Sequence, residues 1–263
     1  MAFRNVSAYT KIVKIVFLNI WHGKCRDELA AFIDHEKSST DIFCFQEADP
    51  ETREYLSPLL SEFAGHSYDK SFEGRIRFTL ATYVKKPLVV DAEYTLLAGV
   101  SDAGAVLMTH VQATGTSLQV VNVHGISFPD SDDKLDTDGR IEQSRTIIEA
   151  LRGVKGPVVI GGDFNLLPEA RSIRLFAQAG YRDLIDDYHV TTTRNKLAWE
   201  RFPDNVQYYA DYVFVGSNAK VRSFSVPQIE ASDHLPLIVD VARADAEHAQ
   251  SVPASAHPAY DHL

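Results

Sequence analysis

The chain has 263 residues, with 26 Lys and Arg against 36 Asp and Glu, a formal net charge of −10, 45% hydrophobic residues and two cysteines. That apolar share supports a sizeable core, and a charged share of 24% is ordinary globular composition, which excludes disordered, collagen-like and coiled-coil chains. No apolar run approaches the ~18 residues of a membrane span, and the excess of acid disfavours a large polyanion footprint, which rests on basic groups that release counterions.

The predicted elements alternate. Ile12 to Leu18 is apolar and β-branched and predicts a strand. Arg26 to Lys37 sets Leu29, Phe32 and Ile33 on one helical face, and Asp41 to Gln46 predicts a short strand. Phe78 to Val84 and Ala105 to Gln112 read as strands, with Lys85-Lys86-Pro87 as a break. Leu118 to Val123 follows as a strand after the hairpin signal Thr114-Gly115-Thr116. Arg140 to Arg152 spaces Ile141, Ile148 and Leu151 as a helix closed by Gly153, and Pro157 to Gly161 predicts a strand. A helix is expected from Pro168 to Ala179, ended by Gly180, and strands at Tyr212 to Val215 and Leu237 to Val241. This order predicts two mixed sheets packed together with helices outside, in one domain over residues 1–243. Residues 244–263, rich in Ala, Ser, Pro and His without periodicity, are expected to be a disordered tail.

Two cysteines are too few for a disulfide framework or a zinc cluster, and Cys44, inside Ile42-Phe43-Cys44-Phe45, reads as a core thiol. Met1 to Val13 lacks the long apolar stretch and small-residue cleavage site of a signal peptide, so a cytoplasmic location is expected.

Polar residues collect at the predicted strand ends, where sites form in layered folds. These are Asn19, Gln46-Glu47, His124, Asp163 with Asn165, Asp211, and Ser232-Asp233-His234. The carboxylates Glu47, Asp163 and Asp233 are the hard oxygen donors that Mg²⁺ or Mn²⁺ takes. Asn19 and Asn165 are amides that orient a phosphate oxygen or a water without adding charge. His124 and His234 donate to phosphate or move a proton near neutral pH, and Asp211 is placed to fix the tautomer of His234. No Gly-x-Ser-x-Gly elbow or cysteine nucleophile context is present. Acids, amides and histidines without a protein nucleophile point to metal-assisted attack of water on a phosphoester.

Leu18-Asn19-Ile20, Phe45-Gln46-Glu47, Asn122-Val123-His124, Gly161-Gly162-Asp163-Phe164-Asn165, Asp211-Tyr212 and Ser232-Asp233-His234-Leu235-Pro236 occur in this order across most of the chain. The set resembles the successive motifs of the endonuclease/exonuclease/phosphatase superfamily, the deoxyribonuclease I-like fold. The resemblance implies a four-layer α/β sandwich, two packed mixed β-sheets flanked by helices, and a divalent metal. It implies Glu47 as principal metal ligand with Asn19 and Asp233 near it. It further implies Asp163 on the attacking water, Asn165 on a phosphate oxygen, and His234 paired with Asp211 on the phosphate. His124 is implied to bind the scissile phosphate and protonate the leaving oxygen. Two positions depart from the pattern of some members: Trp21 stands where they carry an acid two residues after the Asn, and Tyr209 where they carry an Arg two residues before Asp-Tyr.

Other stretches invite a role. Asp130 to Asp138 holds five aspartates, but Lys134 in the first calcium-loop position and Arg145 in the twelfth break that pattern, so a solvated acidic loop is expected. Arg140 and Gln143, one turn apart, are expected to face the site and hold that loop. Thr191 to Arg194 with Lys196, Trp199 and Arg201 is the most basic and aromatic stretch. It reads either as a surface turn with Trp199 packed inward or as a substrate rim, with Arg194 on phosphate, Trp199 stacking on a base or sugar, and Arg75 and Arg77 as candidates for the opposite rim.

The expected function is a Mg²⁺- or Mn²⁺-dependent phosphoesterase in which water attacks a phosphodiester or small phosphoester. The alternatives are a Mg²⁺-dependent endonuclease on DNA or RNA, and a non-catalytic binding module on the same fold. The expected partner is a phosphoester, small molecule or nucleic acid, and the expected state a monomer without a membrane span.

Overall fold

The computed structural model describes residues 12–72, 74–100, 103–113, 116–127, 134–201 and 203–243. The expected tail, the Thr114-Gly115 turn and Asp130 to Asp133 of the acidic loop lie outside them. From the amino end the chain runs β1 (Val13–Asn19), α1 (Arg26–Glu36), β2 (Ile42–Gln46), α2 (Pro50–Leu56), β3 (Phe63–Phe72), β4 (Arg75–Lys85), β5 (Val89–Leu96), β6 (Ala105–Ala113) and β7 (Thr116–His124). It continues through α3 (Asp138–Ala150), β8 (Val158–Asp163), α4 (Arg171–Gln178), β9 (Arg182–Asp183), α5 (Leu184–Asp187), α6 (Lys196–Arg201), β10 (Asp211–Val215), β11 (Ala219–Ser225) and β12 (Leu237–Arg243).

The strands form two six-stranded mixed sheets, ordered β11-β12-β1-β2-β4-β3 and β5-β6-β7-β8-β10-β9. They pack face to face with helices on the outer faces, a four-layer α/β sandwich. The side-chain period of two explains why the central strands read as continuous apolar runs. Along β1, Ile15 and Phe17 enter the core shared with the second sheet, whereas Val16 and Leu18 pack with Leu29, Phe32 and Ile33 of α1. Ile42 and Cys44 of β2 turn inward, and Phe43 and Phe45 outward, by the same alternation. On the far face of the second sheet, Ile147 and Leu151 join Ile173 and Phe176 of α4.

A polar tie crosses the core between the sheets. Gln46 Nε2 donates to Asn122 Oδ1 at 2.6 Å, and Asn122 Nδ2 donates to the carbonyls of Phe45 at 3.1 Å and Ala81 at 3.2 Å. These amide bonds tie one sheet to the other, while Gln46 Oε1 has no hydrogen-bond partner among the described residues. Two motif residues, Gln46 and Asn122, thus serve the fold.

Three local expectations shift. The helix read from Pro168 starts at Arg171, because Asp136 of the acidic loop accepts from the backbone N–H of Arg171 at 2.6 Å and of Ser172 at 2.8 Å. This tertiary cap replaces the proline start. Helix α3 begins at Asp138 behind the Thr137 cap and buries Arg140, Gln143 and Ser144 with Ile147, so its inner face is more polar than Ile141 and Ile148 suggested. The aspartate loop is therefore partly structural: Thr137 and Asp136 cap two helices.

Candidate active site

The topology brings six strand ends to one place. β1 and β2 are parallel neighbours, as are β7 and β8, so Asn19, Glu47, His124 and Asp163 emerge together. β10 and β12 run antiparallel to β8 and β1, which brings the start of β10, Asp211, and the segment Ser232 to His234 to the same end. The glycines of Gly161-Gly162-Asp163 allow this closeness. A Cβ on Gly161 would lie 2.8 Å from the Phe17 ring, and on Gly162, at φ 131°, it would lie 2.2 Å from the Val123 carbonyl oxygen.

Asp163 is the hub. Its Oδ2 accepts from Asn19 Nδ2 at 2.9 Å and Asn165 Nδ2 at 3.2 Å, and its Oδ1 accepts from the Asn165 backbone N–H at 2.9 Å. Asn165 takes a left-handed φ of 54° to make that bond. Burial alone would raise the Asp163 pKa, but the positive charges of His234, His124, Lys134 and Arg194 outweigh it and hold it at about 2.

His234 Nδ1 lies 2.9 Å from both oxygens of Asp211, so its N–H is donated there and Nε2 faces Asp163 Oδ2 at 3.7 Å and Asp233 Oδ1 at 3.9 Å. Burial and Arg194 oppose a charged ring, yet the Asp211, Asp163 and Asp233 carboxylates prevail and its pKa is raised. Burial raises that of Asp211. His124 packs edge-on against Phe78 at 5.0 Å with Nε2 3.9 Å from Asp163 and 4.0 Å from Glu47; burial lowers its pKa, and its Nδ1 has no hydrogen-bond partner among the described residues.

Arg194 Nη2 pairs with Asp233 Oδ2 at 2.9 Å, while its buried Nε has no hydrogen-bond partner among the described residues. Its strand bridge to His234 sets both side chains at the site. Arg140 lines the cavity, and its guanidinium donates to the carbonyls of Ile126 at 3.2 Å and Leu135 at 2.6 Å; Gln143 Oε1 accepts from Gly104 N at 3.0 Å. Both side chains hold loops around the site. Trp199 lines the cavity too, its indole N–H bonded to the Gln207 carbonyl at 3.2 Å. Arg75 and Arg77 do not line it, and Arg77 donates to Ser127 O at 3.4 Å.

Two residues were not singled out by sequence. Lys134 stands at the cavity, where burial and the neighbouring Arg194 charge bring its pKa down to about 8. The signal was present as the lone cation of an aspartate loop. His22 sits 3.2 Å from Glu47, placed by a turn that residue type alone does not announce.

The cavity measures about 540 Å³. Its donor chemistry fits a divalent cation. Glu47, Asp163 and Asp233 line the cavity as hard oxygen donors, beside the buried cluster in which atoms of Asp163, Asp211 and His234 lie within 4.8 Å of one another. Glu47, of left-handed φ 55°, has imidazoles, His22 and His124, as its ion-pair partners among the described residues. Asn19 Oδ1 accepts from Trp21 N at 3.0 Å.

The Endonuclease/Exonuclease/phosphatase family model matches residues 16–234. A UPF0294 protein of Vibrio cholerae is 30% identical over 129 residues, 48% of this chain and 40% of that protein, so the match spans less than half of the curated relative. An endonuclease/exonuclease/phosphatase structure from Bacteroides vulgatus superposes with a TM-score of 0.72 at 20% identity, covering 89% of this chain and 100% of that one. A mannosyl-6-phosphatase from Bacteroides thetaiotaomicron gives 0.67 at 16% identity, covering 88% and 99%. With six motifs converging on one strand-end cleft and the family model spanning most of its length, the chain belongs to the endonuclease/exonuclease/phosphatase family.

Proposed function

We propose that the protein is a Mg²⁺- or Mn²⁺-dependent phosphoesterase that hydrolyses a compact phosphoester by direct attack of water. The observation that carries this reading is the buried series Asp211–His234–Asp163, with Nδ1 held at 2.9 Å and Nε2 turned toward Asp163 at 3.7 Å. No serine or cysteine nucleophile belongs to it.

Asp163, ionised and fixed by three donors, accepts a hydrogen bond from the attacking water and aligns it on phosphorus. His234, kept protonated at Nε2 by its carboxylates, donates to a non-bridging phosphate oxygen. Arg194 Nε and Lys134 Nζ supply further donors, and Asn165 orients the phosphate. As the new P–O bond forms, Asp163 takes the proton of the attacking water, and His124, 3.9 Å away, relays it to the leaving oxygen as that oxygen's bond to phosphorus breaks. Glu47 with Asn19 would hold the metal, and Asp233 adds negative charge beside them. The bound ion would supply charge neutralisation at the phosphate, worth several kcal/mol.

Substrate size follows from local charge. Lys134, Arg140 and Arg194 face a cavity of about 540 Å³ in a chain of net charge −10. A small anionic phosphoester suits a local cationic pocket, whereas a long nucleic acid needs an extended basic surface.

The test is hydrolysis of bis(p-nitrophenyl) phosphate, sugar phosphates, nucleotides, phospholipids and plasmid DNA by the full chain in Mg²⁺ or Mn²⁺, with EDTA as control. Turnover should fall ~10²- to 10⁴-fold in Asp163→Ala and His234→Ala. Undiminished activity in both variants would overturn the reading, and plasmid nicking in preference to every small substrate would favour the endonuclease.

A further inference from the structure

We propose that His22 is an additional ligand of the divalent ion, beside Glu47, and that it turns the site toward Mn²⁺ and related first-row ions over Mg²⁺. This inference rests on the metal-dependent reading above and goes beyond it in naming the ligand and the metal preference.

Trp21 and His22 follow Asn19-Ile20 at the end of β1. After β1 the chain turns sharply, with φ of 49° at Trp21, 52° at His22 and 65° at Gly23. The turn is held by Trp21 N donating to Asn19 Oδ1 at 3.0 Å, Ile20 N to Gln46 O at 3.0 Å, and Gly23 N to Ile20 O at 2.8 Å. It throws the imidazole across the end of β2, against Glu47.

The ring is addressed from both sides. Nδ1 lies 3.2 Å from Asp49 Oδ2, and Nε2 lies 3.2 Å from Glu47 Oε2. Asp49 is itself anchored, because its Oδ1 accepts from Thr52 N at 2.8 Å and caps α2. A metal-bound histidine commonly donates its other N–H to a carboxylate, which fixes tautomer and ring plane. Asp49 supplies that partner at Nδ1, which leaves Nε2 as the ring atom turned to Glu47.

A proton on Nε2 joins the imidazole to the Glu47 carboxylate when no ion is bound, and a divalent cation can take that proton's place between the same two atoms. Adjacent ligands of an octahedral ion with bonds of ~2.1 Å sit about 3.0 Å apart. The observed 3.2 Å between Nε2 and Oε2 matches that spacing. The two side chains are 49% and 23% exposed, which leaves the pair open to an ion from the cleft. An imidazole in the donor set favours Mn²⁺ and later ions, whereas all-oxygen sets suit Mg²⁺.

The experiment is isothermal titration calorimetry of the metal-free full chain with MnCl₂ and with MgCl₂, together with pulsed electron paramagnetic resonance of the Mn²⁺ complex. His22→Asn and His22→Gly are the variants, since both residues accept a left-handed φ. Circular dichroism and thermal melting verify that they fold. Mn²⁺ affinity should fall about 10-fold or more in both, and Mg²⁺ affinity less than about 2-fold. A ¹⁴N coupling present in the parent should be lost. Asp49→Asn, which keeps the helix cap, should weaken Mn²⁺ by about 10-fold. Unchanged Mn²⁺ affinity and unchanged ¹⁴N coupling in the His22 variants would overturn the inference while leaving the phosphoesterase reading intact. A parent chain that binds neither ion would overturn both.

Discussion

Asp163 and Asp211 stand directly opposite each other across the antiparallel pair of β8 and β10, two buried carboxylates in one register step, with His234 Nδ1 2.9 Å from Asp211 and Nε2 3.7 Å from Asp163. Like charges so placed repel unless cations lie between and around them. His234, Arg194 and Lys134 supply that charge here. The same arrangement that makes two buried acids tolerable leaves a cationic face toward the cavity.

The Asp211–His234 contact sets the first expected outcome. Asp211→Asn keeps the shape but removes the carboxylate that fixes the Nδ1 proton and supports the charged ring. Turnover of bis(p-nitrophenyl) phosphate should fall ~10²- to 10³-fold, with KM changing far less. A thermal melt should show the variant folded. Equal losses in KM and no loss in kcat would assign the pair to binding alone.

The buried Arg194–Asp233 ion pair gives a double-mutant cycle. Arg194→Met removes the 2.9 Å partner of Asp233 Oδ2 and should destabilise the fold by ~3 kcal/mol in urea unfolding. Adding Asp233→Leu should recover most of that loss, because no buried charge is then left alone. Activity should not return in the double variant. Additive losses would place the two side chains in independent roles.

Asp183 gives a pH-dependent outcome away from the site. Burial raises its pKa to about 6, against the bonds it accepts at the start of α5. The folded state therefore binds the proton more tightly than the unfolded chain. Stability from this group is fully present below pH ~4 and is lost as pH rises toward 6. Asp183→Asn, which still caps the helix, should raise stability at pH 7.5 by ~2 kcal/mol and leave it nearly unchanged at pH 4. Denaturant unfolding at the two pH values checks this, and a gain equal at both would remove the titration argument.

Metal binding to the folded chain alone should raise its melting temperature. Free ion at 100 times Kd corresponds to about 2.7 kcal/mol. Glu47→Gln should abolish most of the shift, and EDTA should return the parent to the metal-free value. A shift unchanged in Glu47→Gln would move the ion to the Asp163, Asp211 and His234 group.

Much of this was legible in the residues. The central strands β1, β2, β7, β8, β10 and β12 declare themselves as apolar runs because both faces are covered. Edge elements were harder. β3, Phe63–Phe72, carries His66, Ser67, Asp69 and Lys70, and β5, Val89–Leu96, is largely exposed, so neither needs an apolar signature. Helix α2 is announced only by Asp49-Pro50-Glu51, in which Asp49 caps it and Pro50 opens it, because its seven residues are too few for a clear apolar period. The acidic loop misled for another reason. Asp136 contacts Arg171 and Ser172, about 35 positions away, and local pattern cannot report such a cap.

The sequence by itself determined the layered α/β class, the family motifs and the identity of the strand-end residues Asn19, Glu47, His124, Asp163, Asn165, Asp211, Asp233 and His234. These are local properties: apolar periodicity, residue type, and position after a buried run. Tertiary structure alone decided which of these groups touch, and on whom each spends its bonds. Asn19 meets Asp163 across 144 residues, and Arg194 meets Asp233 across 39. Gln46 and Asn122 prove to be a tie between sheets, Arg140 a loop holder, and Lys134 and His22 neighbours of the cleft. The reason is geometric. A strand end specifies where a side chain leaves the sheet, but its partners come from the packing of the second sheet and from turns such as the left-handed one at Trp21 to Gly23.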